Sequence, residues 1–117
     1  MMKANTPRLA LLVAACSLLA ACAQAPKTLY QWEGYQPQVY EHFKGQSPQQ
    51  QITELEKGLE RIAAKGNVPP PGYRAHLGML YAETGRDDLA LQQLQAEKAA
   101  FPESAVYIDF LLKKYQK

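Results

Sequence analysis

The chain has 117 residues, with 13 Lys and Arg against 11 Asp and Glu. That length is about one domain's worth and leaves no room for a two-domain enzyme built around a dinucleotide. A net charge of +2 falls short of the dense basic face of a nucleic-acid binder, and 47% apolar residues exclude a disordered tail. Two Cys and two His lack zinc-like spacing, so no metal and no other cofactor is expected.

Residues 1–21 read as a signal peptide. Lys3 and Arg8 form a positive leader with no acidic neighbour, and the run Leu9 to Ala21 is apolar with Ser17 its one hydroxyl. At about 1.5 Å per residue the run reaches roughly 20 Å, short of a hydrocarbon core of about 30 Å. Its end, Leu19-Ala20-Ala21-Cys22, resembles the lipobox of bacterial lipoproteins. There the Cys thiol takes a diacylglyceryl group as a thioether, and small residues before it admit the signal peptidase. Val13-Ala14-Ala15-Cys16 has the same local shape, but processing there would leave an apolar run on the mature end. Cys22 is therefore the expected lipidation site, and its palmitate-type acyl chains are the expected membrane anchor. Ala23 stands where an Asp would act as an inner-membrane retention signal in enteric-type sorting. The resemblance thus implies an outer-membrane protein whose domain faces the periplasm. Losing Lys3 and Arg8 leaves 11 basic and 11 acidic side chains, so the mature chain is neutral and keeps every aromatic.

The small, polar residues 22–28 form a short tether. Residues 29–46 are an aromatic-rich segment: Tyr30, Trp32, Tyr35, Tyr40 and Phe43 are five of the eleven aromatics. Gln36-Pro37 can open a short helix through Phe43, with Gly45 ending it. Residues 47–117 predict about four helices. Ser47-Pro48-Gln49-Gln50 has the form of a capping box, and Ile52, Leu55, Leu59 and Ile62 follow at helical spacing. Gly66 is a candidate terminator, and Val68-Pro69-Pro70-Pro71-Gly72 is a rigid break. Two further helical patterns follow, carrying Tyr73, Leu77, Leu80 and Tyr81, then Leu89, Ala90, Leu94 and Phe101. Residues 103–115 form the last, whose wide apolar face (Tyr107, Ile108, Phe110, Leu111, Leu112, Tyr115) calls for a close neighbour or a partner.

Leu77-Gly78, Tyr81, Ala90, Leu94 and Pro102 fall in register with the tetratricopeptide repeat pattern W-x₂-L-G-x₂-Y…A-x₃-F…P. Gly78 and Ala90 would let two helix backbones approach, with Leu77, Tyr81 and Leu94 filling the gap. Arg74 replaces the usual Trp, and Glu97 stands where a small Ala is usual. One repeat cannot bury its own faces, so the flanking helices must cover it, and the aromatic segment can wrap over an open side. The expectation is an all-α fold: a small tetratricopeptide-like array after a signal peptide and tether.

The lipobox, the segment Thr28-Leu29-Tyr30-x-Trp32-x-x-Tyr35-Gln36-Pro37-x-Val39-Tyr40 and the repeat-like half together resemble an uncharacterised lipoprotein family, domain-of-unknown-function family 4810. The resemblance runs from about residue 10 to the end. Members are often encoded beside two other lipoproteins, one related to the curli-secretion channel lipoprotein. What the resemblance implies is therefore a place in a periplasmic lipoprotein assembly, with other envelope lipoproteins as partners; it implies no biochemical activity.

An enzyme is not expected. The chain has no Gly-rich phosphate loop, no HExxH and no G-x-S-x-G. His42 and His76 have no nearby Ser or Cys nucleophile in sequence, and His76, between two repeat positions, reads as a surface residue. The expected function is a protein–protein interaction adaptor. Repeat folds bind segments along the first helix of each repeat, which by resemblance maps to Ala75, Met79 and Ala82. Their small size implies a shallow groove, or one filled by residues 29–43. Trp32, Tyr35 and Tyr40 are the other candidate contacts, because rings dominate interface energetics. The alternative is a non-catalytic regulator of a peptidoglycan enzyme, but a tether reaching at most about 20 Å is short for crossing that layer.

Overall fold

The computed structural model describes residues 6–21 and 27–115, so Cys22 and most of the expected tether lie outside the described residues. Helix α1 (Thr6–Ala21) covers the expected leader, its Leu- and Ala-rich run being strongly helix-forming. No helix among the described residues is long and apolar enough to cross a membrane. The side chains from Thr6 to Leu18 are all exposed, and none of them belongs to the core.

Five further helices follow: α2 (Tyr35–Phe43), α3 (Pro48–Ala64), α4 (Tyr73–Glu83), α5 (Asp87–Ala100) and α6 (Ala105–Tyr115). A 3₁₀ turn at Pro102–Ser104 joins the last two. The described residues are thus an all-α array, with the short α2 added to the four helices counted over 47–117. Pro48 takes the first helical position of α3, but Ser47 makes no side-chain cap, so the expected capping box is not formed. Instead the Gln51 side chain reaches back and donates to the Gln46 carbonyl at 2.9 Å. Helix α3 stops as expected. Gly66 adopts φ +65°, and the N–H groups of Gly66 and Asn67 bond back to the carbonyls of Ala63 and Ile62. That left-handed turn is cheap only for glycine.

From α2 to α6 each helix packs on its sequence neighbour, and the core has two parts. In the first, Ile52, Leu55 and Ile62 of α3 meet Tyr73, Leu77, Leu80 and Tyr81 of α4 and Ala90 of α5. In the second, Ala75 and Leu94 meet Ile108, Leu111 and Leu112 of α6. The close helix approach expected at Gly78 and Ala90 is present. A Cβ on Gly78 would lie 3.2 Å from the Ala90 carbonyl oxygen and 3.2 Å from Leu94 Cγ, so α4 and α5 approach there because Gly78 has no side chain. A second close approach carries no such sequence signal. A Cβ on Gly58 would strike the Tyr73 hydroxyl at 2.2 Å. That hydroxyl donates to the Leu55 carbonyl at 2.8 Å, and burial pushes the phenol up to about 12.

Three positions of the expected apolar faces differ, Tyr107 among them at 55% exposed. Leu89, at the open start of α5, is 37% exposed. Phe110 is 68% exposed, because α6 buries Ile108, Leu111 and Leu112 against its neighbours and leaves its other side uncovered.

Candidate interaction groove

The aromatic segment is tied down by polar bonds as well as by rings. The Gln31 N–H donates to the Val68 carbonyl at 2.9 Å, and Asn67 Nδ2 donates to Gln31 Oε1 at 2.7 Å. Glu33 accepts from Gln31 and from Arg61 of α3, and these two bonds hold its carboxyl below the ordinary range. Pinned in this way, the rings stack in series. Trp32 lies 6.2 Å from Tyr35, and Tyr35 stacks on Tyr73 at 5.4 Å. Tyr30 packs edge-on against Phe101 at 5.9 Å. Tyr30 and Tyr35 thus belong to the domain, as the wrapping expectation requires.

Helix α2 does not fill the concave side of α4; it walls it. An apolar groove of about 380 Å³ runs between α2, α4 and α6. Tyr35, Val39, His42 and Phe43 form one wall and Tyr107 the other; Gly72, Ala75, His76 and Met79 lie between them. No charged side chain lines it. Of the sequence candidates, Tyr35, Ala75 and Met79 come together here. Ala82 does not: the walls reach only as far as Phe43 and Tyr107, and one turn beyond Met79 it packs against the first core. Trp32 and Tyr40 also lie outside the groove. Trp32 is 44% and Tyr40 63% exposed, and Lys44 covers the Tyr40 ring at 5.1 Å.

Behind the groove lies a polar network that sequence reasoning missed. His76 is buried rather than on the surface, and its ring meets that of His42 edge-on at 5.1 Å. Gln51, fully buried, bridges the two: His76 Nε2 lies 3.3 Å from Gln51 Oε1, and Gln51 Nε2 lies 3.4 Å from His42 Nδ1. An amide oxygen accepts and an amide nitrogen donates, so this pattern assigns a proton to His76 Nε2 and leaves His42 Nδ1 an acceptor. Burial, with His42 as a second cause, pushes His76 down to about 4, which keeps it neutral at physiological pH. Among the described residues, neither imidazole has a hydroxyl, thiol or carboxylate as a hydrogen-bond partner. The signal was present in the spacing. His76 follows Tyr73 by three and precedes Leu80 by four, and Gln51 precedes Leu55 by four, so both sit on apolar stripes.

Glu97 closes the site from behind. It is 2% exposed, and its Oε1 accepts the backbone N–H of Gly72 at 2.6 Å, just where α4 begins. Gly72 is itself constrained, because a Cβ there would lie 2.7 Å from the Tyr35 hydroxyl. Burial, and next the Glu97 charge, raise the Tyr35 phenol.

Fold and groove together define a small helical array with an open, uncharged concave face. The chain belongs to the family described as Domain of unknown function (DUF4810), whose model matches residues 29–111. The match starts at Leu29, so the leader and Cys22 lie outside it, and the earlier resemblance from residue 10 is narrowed to the helical domain. No curated protein and no solved structure matches the chain.

Proposed function

We propose that the protein is a lipid-anchored lipoprotein on the periplasmic face of the outer membrane, where it serves as a protein–protein adaptor in an envelope lipoprotein assembly. The groove between α2, α4 and α6 is the observation that carries this reading. Its lining is uncharged and apolar, and Phe43 and Tyr107 on its walls are 84% and 55% exposed. An exposed apolar strip of this kind supports reading the groove as a protein contact surface. Alternation of the helices supports a tetratricopeptide-like reading: α2, α4 and α6 line the groove, while α3 and α5 contribute core residues and no lining residue. The anchor rests on the apolar leader and the sequence Leu19-Ala20-Ala21-Cys22.

Two measurements test the two halves. Metabolic labelling with a fatty acid is expected to be lost in Cys22→Ser and kept in Cys16→Ser; the reverse pattern contradicts the anchor. Co-purification of a partner lipoprotein is expected to be lost in Met79→Asp, with helical content and melting unchanged. Undiminished co-purification in that variant contradicts the groove.

A further inference from the structure

We propose that Leu29, Trp32 and Val68 form a second membrane contact, a lipid-facing patch that fixes the orientation of the domain on the bilayer. The proposal rests on the lipid-anchor reading above. The three side chains are 85%, 44% and 47% exposed. They come from two segments far apart in sequence, held together by the bond from the Gln31 N–H to the Val68 carbonyl and by that from Asn67 to Gln31. Trp32 rests one side of its ring system on Tyr35, so the indole is positioned rather than free.

Three features select a lipid surface as the occupant. Leu29 is seven positions from Cys22, and a chain of that length reaches at most about 25 Å, so an anchored domain holds Leu29 within that distance of the bilayer. A Trp among aliphatic side chains is the composition that settles at the headgroup level, with an apolar body and an N–H that stays hydrated. Lys27, two positions before Leu29, and Lys65, three before Val68, are both exposed and neither is in an ion pair among the described residues. Glu33, next to Trp32, is already engaged by Arg61 and Gln31. The patch therefore presents positive charge around an apolar centre, complementary to an anionic leaflet. It shares no residue with the groove, so lipid contact leaves the groove open for a partner.

Trp32 is the only tryptophan, so its fluorescence reports the patch directly. The chain starting at Cys22 contains every core residue and a single thiol. Coupling that thiol to a maleimide phospholipid, in vesicles of phosphatidylethanolamine with about a quarter phosphatidylglycerol, supplies the anchor chemically. The outcome is then independent of whether cells lipidate Cys22. With lipid brominated in the upper acyl chain, a blue shift and about two-fold quenching of Trp32 are expected, as for an interfacial indole. Leu29→Asp, at a position too exposed to affect folding, should reverse both, and Lys27→Glu with Lys65→Glu should weaken them. Solvent-like, unquenched emission from the tethered chain, or equal quenching in Leu29→Asp, overturns the patch. Unchanged quenching in the Lys variants overturns its charge complementarity.

Discussion

Glu97 and Gly72 are joined by a 2.6 Å hydrogen bond from a backbone N–H to a buried carboxylate, across the 25 residues that separate them in sequence. The bond satisfies a donor at the start of α4, where helix N–H groups lack partners and the helix dipole favours an anion. The repeat pattern would place a small residue at position 97, so the carboxylate departs from the pattern for a local reason. Its second oxygen is buried with no hydrogen-bond partner among the described residues.

Glu97→Gln should therefore be mild, within about 1 kcal/mol of the parent, because it keeps an acceptor for Gly72 and removes an unpaired buried charge. Glu97→Ala restores the pattern residue but strands the Gly72 N–H, and should cost about 2 kcal/mol. Chemical denaturation of the two variants provides the check; an equal loss in both would show that the charge, not the acceptor for Gly72, matters.

Gly58→Ala should destabilise the protein even though alanine is the better helix former by about 1 kcal/mol. The new methyl would occupy the place of the Tyr73 hydroxyl and would also lie 3.0 Å from the Glu33 carbonyl oxygen. Overpacking of this kind costs about 1–3 kcal/mol. A melting temperature lowered in Gly58→Ala, and partly recovered when Tyr73→Phe is added, is the expected result.

Stability should fall on acidification between about 6.5 and about 4. His76 is held neutral in the folded chain down to about 4, whereas an unfolded histidine takes up its proton near 6.5. In that window the unfolded state binds more protons, so stability is lost as the pH drops, by on the order of 2 kcal/mol. Carboxylates whose values are lowered in the folded state, such as Glu33, add their own loss at still lower pH. Melting curves across pH 4 to 7 should show the drop in the parent and a smaller one in His76→Gln.

The array and its tightest contact were legible because periodicity and close packing leave marks in sequence. Ile52, Leu55 and Ile62 form a stripe at helical spacing, and Gly78 with Ala90 announces a close crossing. The groove was legible in part. Ala75 and Met79 were placed by the repeat register and Tyr35 by its ring, but which rings turn inward depends on where α2 crosses α4, and no local pattern encodes that. His76 and Gln51 are polar residues on apolar stripes, and only tertiary packing supplies their partners. Glu97 looked like a lapse in the repeat; its role depends on Gly72, which becomes its neighbour only in the folded chain.

The groove as a partner surface is the central claim, and site-specific photo-crosslinking in living cells tests it most directly. A photoreactive amino acid in place of Met79 should give a discrete crosslink to another envelope lipoprotein, one that disappears when Tyr107→Asp is added. The same probe in place of Lys57, on the exposed side of α3, should give none. Crosslinks of equal yield at both positions, or none at 79 in cells that express the protein normally, would contradict the account.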